Sequence, residues 1–142
     1  MKIYLAGPLF TKAELDFNSS LARDLRAAGH EVYLPQEAQW GATARQVSGR
    51  TRTHHIFENN RTALSRSEAV VAVCEGSQVD DGTAWEIGYA YGIGIPVYGL
   101  RTDSRITQQP DEKINLMVLE SLEGLFESTK DLLPHLRSVT RG

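Results

Sequence analysis

The chain has 142 residues, 41% of them hydrophobic and 23% charged, with a net charge of −3. That length fits one domain with a single core large enough to fold without a disulfide or metal staple. The mild acidity argues against a dedicated nucleic-acid or membrane-surface binder, which would carry a basic face. The lone cysteine, Cys74, ends an apolar run and reads as a buried, inert thiol. The four histidines, His30, His54, His55 and His135, form no zinc spacing with it. No apolar stretch approaches the roughly 20 residues needed to cross a bilayer. No signal-peptide layout opens the chain, so a cytoplasmic protein is expected.

Lys2 to Ala6 reads as a buried strand stopped by Gly7-Pro8. Leu15, Leu21, Ala22 and Leu25 fall near helical spacing between Lys12 and Ala28, with Gly29 as a C-terminal cap. Glu31 to Leu34 is a second short strand, ended by Pro35. The polar stretch Gly41 to Arg50 reads as a loop. Arg45, Arg50 and Arg52 cluster in and just after it, either as a solvated face or as a phosphate clamp. A helix is expected from Thr51 to Ser65, with Ile56, Ala63 and Leu64 facing inward.

Ala69 to Cys74 is the clearest strand, and its unbroken apolar run predicts burial on both faces of a parallel sheet. A helix follows from Thr83 to Gly92. Ile95 to Leu100 is the fourth strand, with Pro96 at its opening, where a missing N–H is tolerated. A loop from Arg101 to Glu112, a helix at Ile114 to Leu122, a strand at Leu125-Phe126 and a helix at Lys130 to Ser138 complete the chain. Strands alternating with helices predict a layered α/β fold. Ligands in such folds bind beyond the carboxyl ends of the strands.

That rule directs attention to the segment Val79 to Ala90, where Asp80, Asp81 and Glu86 fall between a strand and a helix. Read as chemistry, Glu86 lies in the first turn of its helix, where the dipole favours an ionised carboxylate. Such a group can attack a sugar carbon. Asp80 or Asp81 can then orient the substrate or exchange a proton with the leaving group. Read as structure, the same carboxylates are capping and dipole partners. Gly82 and Gly88 read as a turn residue and a close-packing position, and Trp85 as a core residue.

The stretch Asp80-Asp81-Gly82-Thr83-Ala84-Trp85-Glu86-Ile87-Gly88-Tyr89-Ala90 resembles the nucleoside 2-deoxyribosyltransferase family. Gly7-Pro8 after the first strand and Asn115-Leu116-Met117 near the end extend the likeness over most of the chain. The resemblance implies a flavodoxin-like three-layer sandwich with five parallel strands in the order 2-1-3-4-5. It implies that Glu86 attacks the anomeric carbon of a 2-deoxynucleoside, releases the base and holds a deoxyribosyl ester until a second base accepts the sugar. By the same likeness Asp80 contacts the base and assists its proton transfer, and Tyr4 orients the nucleophile. Gln39 helps hold the nucleoside. Asn115 and Met117 reach into a neighbouring subunit's site, in a homodimer or a homohexamer built from dimers.

Gly7, Leu9, Phe10, Asp81 and Gly82 are further candidates for substrate binding on this reading. Asn60 stands where family members often carry an Asp that supports sugar or base. It keeps the hydrogen-bonding shape but not the charge. No metal or organic cofactor is implied. The partners implied are a 2-deoxynucleoside and a free nucleobase, with no nucleic acid and no membrane. From the residues alone, Tyr4 is equally a core aromatic, Gln39 an exposed loop residue, Asn115 a cap and Met117 a core side chain.

Two other functions remain open on sequence. A deoxynucleoside 5′-monophosphate hydrolase would need phosphate-binding groups, whereas the apolar Leu9-Phe10 pair after the first strand suits a neutral nucleoside. A non-catalytic binding or signalling module of this layout would need other residues. A phosphoryl-accepting receiver wants an Asp where Val73-Cys74-Glu75 stands. A dinucleotide binder wants a Gly-x-Gly-x-x-Gly after the first strand.

Overall fold

The computed structural model describes residues 1–38, 50–105 and 113–141. Five parallel strands form one sheet, β1 (Lys2–Ala6), β2 (Glu31–Tyr33), β3 (Ala69–Val73), β4 (Val97–Leu100) and β5 (Gly124–Phe126), in the order β2-β1-β3-β4-β5. This is the flavodoxin-like topology expected. Among the described residues, five helices cover the sheet: α1 (Lys12–Ala27), α2 (Arg50–Ser65), α3 (Asp81–Gly92), the single turn α4 (Leu116–Leu119) and α5 (Thr129–Arg141).

Alternation along the strands builds two cores. Ile3, Leu5, Val71, Val73 and Leu100 pack on one face against Leu21 and Leu25 of α1 and Leu132 and Leu136 of α5. Tyr4, Ala6, Val70, Ala72 and Val97 pack on the other against Leu64 of α2 and Ile87 and Ala90 of α3. β3 is buried along its whole length, as its continuous apolar run predicts. Cys74 follows it, free and buried, and burial pushes its thiol up to about 12.

Element ends move by a few residues from the sequence expectation. β2 stops at Tyr33 because Pro35 opens a 3-10 turn, Pro35–Glu37. β4 begins at Val97 rather than Ile95, although the Pro96 carbonyl still accepts from the Val70 N–H. The helix expected over Ile114 to Leu122 is reduced to α4. The α1 helix starts on a capping box: Thr11 accepts from the Glu14 N–H, and Glu14 accepts from the Thr11 N–H. It ends before Gly29, whose φ of 94° only glycine adopts easily. Among the described residues, no helix is long and apolar enough to cross a membrane.

β1 and β3 are neighbours, while the chain leaves β1 for β2 on the opposite side. The crevice beyond their carboxyl ends is therefore the switch point of the sheet. Gly7 lies there because any larger residue would press on its surroundings: an added Cβ would stand 3.1 Å from both Asn18 Oδ1 and Val73 Cβ. Asn18 itself donates to the Pro8 carbonyl at 2.8 Å, which fixes the loop leaving β1.

The loops after β3 and β4 are clamped to each other. The buried Arg101 guanidinium donates to the carbonyls of Cys74 and Gly76, each at 2.8 Å, and to that of Arg105 at 3.1 Å. In return the Glu75 carboxylate accepts from the N–H groups of Thr102 and Asp103. This crossed pair steadies the stretch that leads into α3.

Candidate active site

Glu86 is the sixth residue of α3, one turn further in than the sequence suggested, because the helix begins at Asp81 and not Thr83. The first-turn dipole therefore does not set its charge state. Burial does: it pushes the Glu86 carboxyl up to about 7, a hydrogen bond from Tyr4 pulls the other way, and the nearby Asp80 charge adds to the rise. The Tyr4 hydroxyl donates to Glu86 Oε1 at 2.7 Å. Burial and the Glu86 charge raise the Tyr4 phenol, so it stays protonated and stays a donor. Glu86 Oε2 has no partner among the described residues.

Tyr4 reaches Glu86 because even-numbered residues of β1 face α2 and α3. Tyr33 of β2 stands in register with Tyr4, and their rings stack 5.5 Å apart with 17° between planes. The Tyr33 hydroxyl donates to Asn60 Oδ1 at 3.1 Å. Glu86 and Asn60 then share one cavity of about 300 Å3 with Phe57, Arg61, Leu64, Gly82 and Trp85, between α2 and α3.

Trp85 is not in the core. It is 46% exposed, stacked on Tyr89 at 5.1 Å and set edge-on to Phe57 at 5.3 Å. Arg61 is tied to Glu58 by two hydrogen bonds, of 3.3 Å and 2.7 Å, which hold its guanidinium against the cavity. Gly88 is exposed with open space around it, so it has no close-packing role, and Gly82 takes an ordinary helical conformation rather than a turn.

The three carboxylates separate. Asp80 is the N-cap: its Oδ2 accepts from the Thr83 N–H at 2.9 Å and the Thr83 hydroxyl at 3.0 Å. The capping interpretation therefore holds for Asp80, whose second oxygen has no partner among the described residues. Asp81 lies in the first turn and bonds the Gly82 N–H. It faces a different cavity, of about 370 Å3, shared with Ser77, Gln78, Val79, Ala84, Asn115 and Val118.

Asn115 caps α4 by accepting from the Met117 N–H at 2.9 Å. Met117 is 72% exposed and is no core residue. Neither lines the Glu86 cavity of its own chain. Leu9 is half-buried, and Phe10 is 78% exposed. Gln39 and the Gly41–Arg50 loop, apart from the Arg50 backbone, lie outside the described residues, as does most of the loop before α4.

Sequence reasoning missed Tyr33, Phe57, Arg61 and the exposed face of Trp85. A signal for Tyr33 was present: Ile3-Tyr4-Leu5 and Val32-Tyr33-Leu34 repeat one pattern in two strands that pair in parallel. Trp85 and Tyr89 are four apart and share a helix face.

Fold and site together define a class: a parallel α/β domain that carries a tyrosine-held carboxylate at its switch point. A model of the family described as nucleoside 2-deoxyribosyltransferase matches residues 3–117, and the chain belongs to that family. It is similar to the solved 2-deoxyribosyltransferase of Bacillus psychrosaccharolyticus, with 30% identity and a TM-score of 0.81 over 94% of this chain and 90% of that one. A conserved protein from Enterococcus faecalis V583 is equally similar, at 30% identity and a TM-score of 0.80 over 97% and 98% of the two chains. The CMP N-glycosidase of Clostridium botulinum, at 17% identity and a TM-score of 0.60 over 96% and 99%, shares the fold.

Proposed function

We propose that this protein is a nucleoside 2-deoxyribosyltransferase that passes 2-deoxyribose between nucleobases through an ester on Glu86. The observation that carries the reading is the 2.7 Å hydrogen bond from Tyr4 to Glu86 Oε1 at the wall of the shared cavity. With Oε1 held, Oε2 is the oxygen left to attack. It forms a bond to the anomeric carbon while the bond from that carbon to the base nitrogen breaks. The electron pair leaves with the base, which takes up a proton.

A second base then repeats the displacement in reverse, so configuration is retained. A carboxyl near 7 is suited to this cycle, because it is both nucleophile and leaving group at neutral pH. A 2-deoxy sugar lacks the electron-withdrawing hydroxyl beside the reacting carbon, so its cation-like transition state is reached with a carboxylate alone. The unpartnered oxygen of Asp80 is the group that meets the departing base. Leu116 and Met117, both exposed, serve a neighbouring copy's site in this account, with Asn115.

A second reading is hydrolysis of a deoxynucleoside 5′-monophosphate, favoured by the Arg61 cation beside the cavity. Its pairing with Glu58 leaves it a poor phosphate clamp, which supports the transferase reading. The test supplies deoxyinosine together with isotope-labelled hypoxanthine. Label should enter deoxyinosine faster than free sugar accumulates. Base release from deoxyinosine 5′-monophosphate alone would give the second reading instead.

A further inference from the structure

The Asn60 side chain has a defined polarity. Among the described residues, Asn60 Oδ1 is the acceptor that the Tyr33 hydroxyl reaches, at 3.1 Å. With the Tyr33 hydroxyl donating to Oδ1, the amide oxygen faces Tyr33. The Asn60 Nδ2 group, which carries two N–H donors and no acceptor, then has no partner among the described residues. It lines the cavity beside the Arg61 guanidinium, which also only donates. Among the described residues that line it, Glu86 is the one carboxylate, already committed to the sugar, and Asp80 lies outside that lining. Phe57, Leu64 and Trp85 supply apolar walls for a flat ring.

We propose that Asn60, oriented by Tyr33, makes this site select nucleobases that present a ring carbonyl over those that present an exocyclic amino group. The proposal rests on the reading of the Glu86 cavity as the nucleoside site. A 6-oxopurine offers two neighbouring acceptors, O6 and N7, to the two donors of the wall. Adenine turns an amino group toward them, donor against donor. Thymine or uracil and cytosine differ in the same way at position 4.

The selection also acts on the reaction. As the bond from the anomeric carbon to the base breaks, the electron pair left on the base spreads to the carbonyl oxygen. An N–H donor at that oxygen strengthens as charge develops there, so it favours the transition state over the bound substrate.

The test combines two measurements on the wild-type protein and on the Asn60→Asp and Tyr33→Phe variants. Calorimetric titration with free hypoxanthine and free adenine reads base selection without chemistry. Base release from deoxyinosine and deoxyadenosine reads it in kcat/KM. The wild-type protein should favour hypoxanthine and deoxyinosine at least about tenfold, the scale of one well-made hydrogen bond against an unmet donor. Asn60→Asp should abolish or reverse the preference. Tyr33→Phe should draw the ratio toward one, since the amide is then free to turn.

Equal affinities in the wild-type protein, or a preference that survives both substitutions, would overturn the proposal. Base release without preference would leave the reading of the Glu86 cavity as the nucleoside site standing and remove this one. Titrations that rank hypoxanthine above adenine in a protein that releases no base would do the opposite.

Discussion

Tyr4 in the first strand and Glu86 in the third long helix, far apart in sequence, meet through a 2.7 Å hydrogen bond. The phenol keeps its proton, so the bond always runs from Tyr4 to the carboxylate. This one contact selects which Glu86 oxygen is free and opposes the burial that raises its pKa.

Replacing Tyr4 by Phe removes the donor and little else, because the ring remains in the core. Glu86 should then titrate above its present value of about 7, and the acid limb of kcat/KM should move to higher pH. Loss of a hydrogen bond to a charged group costs about 1.5–3 kcal/mol, or roughly 10- to 100-fold in kcat/KM at pH 7. A profile that stays in place would mean that Tyr4 does not govern Glu86.

Glu86 also sets a slope in stability. Its carboxyl titrates near 4.5 in an unfolded chain and near 7 in the folded one. Below the first value both states are protonated and nothing is lost. Between the two, the folded state binds more protons, so stability falls as pH rises, and above 7 the loss is complete. A gap of that size corresponds to roughly 3–4 kcal/mol at most. Glu86→Gln should therefore unfold at a higher temperature than wild type at pH 8, with the difference shrinking toward pH 4.5. Thermal melts across that range check it.

Asp80 combines a cap with a charge, and two substitutions separate them. Asp80→Ala should lose about 1 kcal/mol of stability with the cap, while Asp80→Ser retains it. In both variants the Asp80 charge no longer raises Glu86, so the acid limb should shift to lower pH, opposite to Tyr4→Phe. Melting temperatures and pH profiles for the pair distinguish the roles.

Trp85 is half exposed and stacks on Tyr89 along the cavity wall. Truncating it to Ala should change stability by no more than about 1 kcal/mol, since it fills no core position. The KM for deoxynucleosides should rise several-fold. An unchanged KM would place the base elsewhere.

Much of this was legible in the sequence, for physical reasons. Ala69 to Cys74 could only be an inner strand, and the alternation of strands with helices gave the layers. Strand alternation left Tyr4 equally a core aromatic, because it gives the face a residue takes but not what it meets there; the link to Glu86 came from the family resemblance. Helix starts were harder. Asp80 caps α3 through its own side chain, so the helix begins at Asp81 and Glu86 moves out of the first turn. Trp85 was misplaced because hydrophobicity alone does not say whether a helical aromatic meets the sheet or a ligand cavity. The pairing of Tyr33 with Asn60 joins β2 to α2, and no local pattern encodes that meeting.

The central claim is that Glu86 carries the sugar. Wild-type protein mixed with deoxyinosine in the absence of an acceptor base, quenched in acid and digested, gives the direct measurement by mass spectrometry. The account predicts one deoxyribosyl group on the peptide that contains Glu86, removed on addition of hypoxanthine and missing from Glu86→Ala. Base exchange that continues at the wild-type rate in Glu86→Ala, or a sugar found on another residue, would contradict it.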